Sequence, residues 1–80
     1  MPNFSINRQA PVLLALGEAI RAARLVRHLS QERLALLADI DRSYLGRIER
    51  GDNNVALLTL LKISVALDLS AAELLASAGL

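Results

Sequence analysis

The chain contains no cysteine and no tryptophan, and its aromatic side chains are a single tyrosine and a single phenylalanine. Without thiols there is no disulfide to staple a small fold and no thiolate to hold a metal, which suits a reducing compartment. No apolar run approaches the roughly 20 residues needed to cross a bilayer, and the first ten residues lack the charged-then-apolar order of a signal peptide, so a cytoplasmic location without membrane contact is expected. One histidine, no cysteine and no phosphate-cradling glycine loop leave neither a nucleophile with its base nor a metal site to assemble. The expectation is a non-enzyme with no catalytic residue, no metal and no cofactor. His28 has no second metal ligand nearby and reads as a solvated or capping residue. A large charge of one sign is also missing: the formal net charge is +1, so bulk electrostatics do not announce a nucleic-acid binder.

What is abundant is aliphatic surface. Apolar residues make up 54% of 80 residues, more than five short helices need for one core. A chain of this length forms one small domain that buries a limited share of its surface and is marginal unless something adds to the core. With disulfides and thiolate metals excluded, association is the remaining route, and a helical dimer is expected. The charges are unevenly placed as well. Seven of the nine basic residues fall between Arg21 and Arg50, and all seven are arginine, whose planar fork grips phosphate or guanine with two bonds. Glu32, Asp39, Asp41 and Glu49 share that segment, so a positive face requires the charges to be sorted to opposite sides.

Residues 30–51 organise the chain. Ser30 and Asp41 lie eleven residues apart, and each is a short polar side chain able to accept from the free N–H groups of a helix that it opens. Leu34, Ala35 and Ala38 form an inward stripe after the first start, Leu45 and Ile48 after the second. The connection around Asp39 and Ile40 is so short that the two helices must cross steeply, with Ile40 plugging the gap beneath the turn. This is a helix-turn-helix.

Around it the spacing predicts an all-α chain of five helices. Residues 1–10 read as a flexible N-terminal arm, with Arg8 available to a DNA backbone or minor groove. The domain then spans 11–80. A first helix over Val12–Arg27 follows Pro11, its apolar side at Leu13, Leu16, Ile20 and Ala23, and Gly17 inside it marks the close approach of a neighbour. Glu18 and Arg21 are spaced to pair across one turn. The second helix is Gln31–Ala38, with Leu36 and Leu37 outside its apolar stripe, and the third is Arg42–Arg50, stopped by a left-handed Gly51. The fourth is Leu57–Leu67, with Leu60, Ile63, Ala66 and Leu67 inward. A capping box at Ser70 and Glu73 opens the fifth, Ala71–Ala78, which Gly79 ends and whose Leu74 packs on the fourth. Leu58, Leu69, Leu75, Ala78 and Leu80 are left over and form the expected dimer contact, centred on this C-terminal helix.

The same residues closely resemble the helix-turn-helix family of the phage Cro and lambda-type repressors, the XRE family. Its pattern is Ser-Gln-x-x-Leu-Ala, a small-residue turn, then Tyr-x-x-x-Ile-Glu-Arg-Gly, matched here by Gln31, Leu34, Ala35, Tyr44, Ile48, Glu49, Arg50 and Gly51. With Leu-Gly-x-x-Ile-Arg-x-x-Arg at Leu16 to Arg24 and Leu-Leu-Lys-Ile-x-x-Ala-Leu at Leu60 to Leu67, the resemblance covers roughly residues 13–76. The run Asp-Arg-Ser-Tyr at 41–44 is similar to the controller proteins of restriction-modification systems. The family's turn usually holds glycine where this chain has Asp39, a residue that tolerates a left-handed backbone.

The resemblance implies a compact lambda-repressor-like DNA-binding domain and a homodimeric, sequence-specific transcription regulator. An ion pair between Arg24 and Glu49 would tie the first helix to the end of the third. Gln31 would hold a phosphate at the start of the second helix. Arg42 would read a base in the major groove, Ser43 a base or phosphate, Tyr44 would reach out with its hydroxyl, and Arg47 would touch phosphate or a further base. Asn53 and Asn54 would follow the DNA backbone, whereas Asp52 would repel it if it faced it. The operator should be an imperfect palindrome, and the regulator acts by occupancy, blocking RNA polymerase or touching it. A protein-binding adaptor or antitoxin-like module on the same fold is the competing expectation, because fold does not fix function.

Overall fold

In the computed structural model, which describes residues 10–80, the chain folds into α1 Pro11–Val26, α2 Gln31–Ala38, α3 Arg42–Glu49, α4 Leu57–Ala66 and α5 Ala71–Ser77, with no strand among the described residues. The arm with Arg8 lies outside them; Ala10, at the end of the expected arm, accepts at its carbonyl from Leu13 and Leu14. Pro11 is itself the first helical residue, where a fixed φ and a missing N–H suit the opening turn. At the other end, α1, α3, α4 and α5 each stop one residue before the spacing suggested.

The starts are set by side chains in two cases. Ser30 Oγ accepts from the Arg33 N–H at 3.0 Å. Ser70 Oγ accepts from Glu73 N–H at 3.0 Å while Glu73 Oε1 accepts from Ser70 N–H at 2.8 Å, completing the capping box. Asp41 departs from expectation. Its backbone is extended as a cap requires, but its carboxylate accepts no capping hydrogen bond and is exposed. An exposed carboxylate loses little by staying hydrated, and the free N–H groups of α3's first turn are thus left without a side-chain cap.

All five helices end in the same way. The N–H two residues past the last turn reaches back five positions, as in Leu29 to Arg24, Ile40 to Ala35, Asp52 to Arg47, Leu69 to Ser64 and Leu80 to Leu75. This stop needs one left-handed residue, and glycine supplies it only at Gly51 and Gly79. His28, Asp39 and Asp68 take φ values of 57°, 58° and 59° without glycine's freedom. Replacing each by glycine is expected to stabilise the fold by about 0.5 kcal/mol, the left-handed cost relieved less glycine's larger unfolded entropy. Thermal unfolding followed by circular dichroism should show a rise of about 3 °C per site; a fall at all three would mean that their side chains stabilise the turns.

Leu16, Ile20, Leu34, Leu45, Ile48, Ile63, Leu67 and Leu74 make one core, with Ile40 and Tyr44 packed against it from the turn and from α3. α3 sits between α1 and α2, α4 lies on α2, and α5 closes against α1 and α4. Gly17 is where α1 and α3 touch: a Cβ there would stand 2.5 Å from the carbonyl oxygens of both Ile48 and Glu49. The expected close approach is therefore backbone on backbone. Ser64, buried in α4, donates its hydroxyl to the Leu61 carbonyl at 2.9 Å. The Glu18–Arg21 pair does not form; both side chains are exposed, where pairing gains little over hydration.

Candidate nucleic-acid interface

The base of the site is a buried ion pair. Arg24 Nε donates to Glu49 Oε2 at 2.8 Å and Arg24 Nη2 to Glu49 Oε1 at 3.0 Å, the two-pronged geometry that only arginine offers a carboxylate. A third donor, Nη1, goes to the Leu29 carbonyl at 2.9 Å, just ahead of the Ser30 cap. The pair thus fixes the end of α3 against both α1 and the entry to α2. The hydrogen bond to Glu49 raises the Arg24 guanidinium above its ordinary value, burial opposes this, and the carboxylate's charge adds to the rise. The protonated form is the one the fold favours, so raising the pH through the neutral and mildly alkaline range does not remove this contribution.

Glu49 has one more partner. Gln31 Nε2 donates to Glu49 Oε1 at 3.0 Å, which draws the half-buried amide at the start of α2 into the network. Among the described residues no buried side-chain nitrogen or oxygen lacks a partner. This bond was not foreseen. It engages one amide N–H and leaves the second as the donor available to an anion.

α3 carries its apolar residues Leu45 and Ile48 inward and Arg42, Ser43 and Arg47 outward. Among the described residues the exposed arginines Arg42 and Arg47 form no ion pair, which leaves their donors available to a ligand. Arg47's guanidinium carbon lies 5.8 Å from the centre of the half-buried Tyr44 ring. Asn53 is half-buried and Asn54 exposed in the loop after Gly51, whose left-handed φ of 76° turns the chain.

Asp52 does not simply project toward that surface. Its carboxylate accepts from Arg50 Nε at 3.2 Å and its side chain is mostly buried, which corrects the picture of a bare repelling charge. In the sequence Arg50 stands out only as part of the Ile-Glu-Arg-Gly motif. Its Nη1 lies 3.4 Å from where a Cβ on Gly46 would be, and the Gln31 amide sits 3.8 to 3.9 Å from the same point. Gln31 and Arg50 thus lie over α3 together, each at ordinary contact distance from where a Cβ on Gly46 would be.

Of the leftover aliphatics, Leu58 and Leu80 are exposed at 66% and 52%, while Leu69, Leu75 and Ala78 are half-buried against the core. The larger bare stripe is on α4: Leu57, Leu58, Leu61 and Val65 follow one face and are all exposed, with Leu37 of α2 beside Leu61 and Val65. The positions 57, 61 and 65 recur at helical spacing and could have been read as a second stripe. Among the described residues no helix is long and apolar enough to cross a membrane, and no three acidic, histidine or cysteine side chains group as a metal site would require.

Comparison with known proteins agrees with this geometry. A family model described as helix-turn-helix matches residues 20–74. The control protein C.SmaI of Serratia marcescens is 42% identical over 65 residues, covering 81% of this chain and 77% of that protein. The crystal structure of the restriction-modification controller protein C.AhdI from Aeromonas hydrophila superposes with a TM-score of 0.76 at 47% identity, covering 78% of this chain and 94% of that one. The clp gene regulator ClgR from Corynebacterium glutamicum gives a TM-score of 0.82 at 31% identity, covering 85% and 72%.

Proposed function

The chain belongs to the helix-turn-helix family of XRE-type regulators, with restriction-modification controller proteins among its relatives, and from that premise we propose that it is a homodimeric, sequence-specific DNA-binding regulator of a restriction-modification system. The observation that carries this reading is the amino end of α3. Arg42 and Ser43 project into solvent with no side-chain partner among the described residues, on a helix whose far end is held by a buried ion pair. A recognition helix needs this combination, free side chains on a fixed axis.

In the proposed complex Arg42 makes two bonds to the O6 and N7 of a guanine, and Ser43 bonds a base or phosphate. Tyr44 reaches the backbone with its hydroxyl. Gln31 offers its second amide N–H to a phosphate, and Asn53 and Asn54 follow the backbone beyond α3. Two copies joined through Leu58, Leu69, Leu75, Ala78 and Leu80 would set their α3 helices about 34 Å apart, so the operator is an imperfect palindrome with half-sites one turn apart. Regulation follows from occupancy, by blocking RNA polymerase or contacting it. The bare α4 stripe also suits the second reading, an adaptor or antitoxin-like module holding a partner protein; a stoichiometric partner in co-purification with no DNA shift would favour it.

The test is binding to DNA upstream of the protein's own gene. Arg42→Ala is expected to weaken operator binding by about 5- to 150-fold, corresponding to about 1–3 kcal/mol of base discrimination, and to relax preference at one base pair per half-site. Affinity should also fall steeply with salt. Equal binding by the two proteins without sequence preference would remove the base-reading role.

A further inference from the structure

The solvent side of α3 carries three arginines that the structure treats differently. Arg50 is engaged by Asp52 through its Nε. Arg42 has neither an ion pair nor a ring contact. Arg47 has no ion pair, but its guanidinium lies over the face of Tyr44. The distinction has chemical content. An ion pair occupies N–H donors, whereas stacking on a ring uses the face of the guanidinium and leaves its in-plane donors free. Tyr44 is in turn packed against the core, so the ring is a fixed platform.

We infer that Arg47 is a second base-reading residue, directed at a guanine one helical turn beyond the base read by Arg42, and that the Tyr44 ring is its positioning residue. The inference rests on the DNA-binding reading above and deepens it, committing Arg47 to base edges and giving Tyr44 a role through its face in addition to that of its hydroxyl. A phosphate contact asks for charge at a suitable distance, which a mobile lysine meets; two bonds to one guanine ask for a plane held in the right orientation. The cation–π contact with the ring supplies that orientation before DNA arrives. Arg47 also follows Ser43 by four residues, on the same exposed face of α3.

The experiment measures binding of the full chain and of Arg47→Ala, Tyr44→Phe, Tyr44→Leu and the Tyr44→Leu/Arg47→Ala double variant to an operator panel with each base pair changed in turn, at two salt concentrations. Arg47→Ala should lose about 10-fold discrimination at one base pair per half-site and little elsewhere. Tyr44→Leu should lose about 3-fold at that same base pair, Tyr44→Phe none there, and the Arg47→Ala loss should shrink by about 3-fold in the Leu background. In the free protein, ring current should shift the Arg47 side-chain protons upfield in wild type and Tyr44→Phe but not in Tyr44→Leu. If the Leu variant unfolds, Tyr44→Met takes its place.

A uniform loss across all operators with a shallower salt dependence would assign Arg47 to phosphate and overturn the inference. An Arg47→Ala effect unchanged between Tyr and Leu backgrounds would overturn the positioning role. Failure of the parent reading looks different: wild type itself would prefer no sequence, and base reading by Arg47 would fall with it.

Discussion

Arg24→Met is expected to destabilise the fold by about 3–5 kcal/mol, because it removes one partner of a buried pair and strands the other. Glu49's side chain is 3% exposed, and without Arg24 its carboxylate keeps a single protein donor, the Gln31 amide. The Leu29 carbonyl loses its Arg24 donor as well. A domain of 80 residues has about 4–12 kcal/mol of stability in total, so the loss removes a quarter or more of it and, at the low end of that range, brings the variant to its unfolding midpoint at room temperature. Denaturant titration monitored by circular dichroism measures the effect.

The informative companion is Arg24→Met/Glu49→Leu. Replacing a buried pair by apolar groups of similar volume is often neutral, since desolvation of the two charges offsets their attraction. The double variant should therefore recover most of the lost stability. It should not recover DNA affinity to the same degree, because Glu49 also holds the Gln31 amide proposed to meet phosphate. Equal destabilisation of single and double variants would mean that the pair is strongly favourable in itself. Because the fold favours the protonated guanidinium, titration of Arg24 contributes no change in stability across neutral and mildly alkaline pH.

The scaffold was legible in the sequence where one residue type answers one physical need. Ser30, the Ser70–Glu73 box, Gly51 and the inward stripes appear as read, because cap chemistry and helical period act over four or five residues. Gly17 was legible too, since a glycine inside an otherwise strong helix implies that something comes close. What escaped was set by rotamers across elements. The Gln31–Glu49 bond joins residues eighteen apart, and the Arg50–Asp52 pair depends on how the chain turns at Gly51. The left-handed His28 and Asp68 escaped for another reason: the sequence carries no glycine at either position to announce the stop. On α3 itself, the exposed face was readable from periodicity, whereas the contact of Arg47 with the Tyr44 ring required coordinates.

The second large effect is expected at Gly17, and it is best measured against the same replacement at Gly46. Both are buried glycines inside helices, and alanine raises intrinsic helix stability by about 1 kcal/mol at either. Their surroundings decide the sign. At position 17 the new methyl meets two carbonyl oxygens at 2.5 Å, and both belong to backbone at the end of α3. Neither can rotate away, so α1 and α3 must separate by about 1 Å before ordinary contact is restored. Overpacking of this kind costs about 1–3 kcal/mol, and rigid backbone on both sides places Gly17→Ala at or above the top of that range.

At position 46 the nearest atom is Arg50 Nη1 at 3.4 Å, the tip of an exposed side chain that can move, so Gly46→Ala is expected to gain most of the helix propensity term. Urea titrations should separate the two variants by about 3 kcal/mol, and similar midpoints would show that the α1–α3 contact yields more readily than its geometry implies. DNA binding should not follow stability. Gly17→Ala is expected to tilt α3 and to weaken the proposed operator complex through that helix as a whole, whereas Gly46→Ala, whose methyl meets Arg50 and Gln31 at ordinary contact distance, is expected to perturb the complex only locally in a protein more stable than wild type.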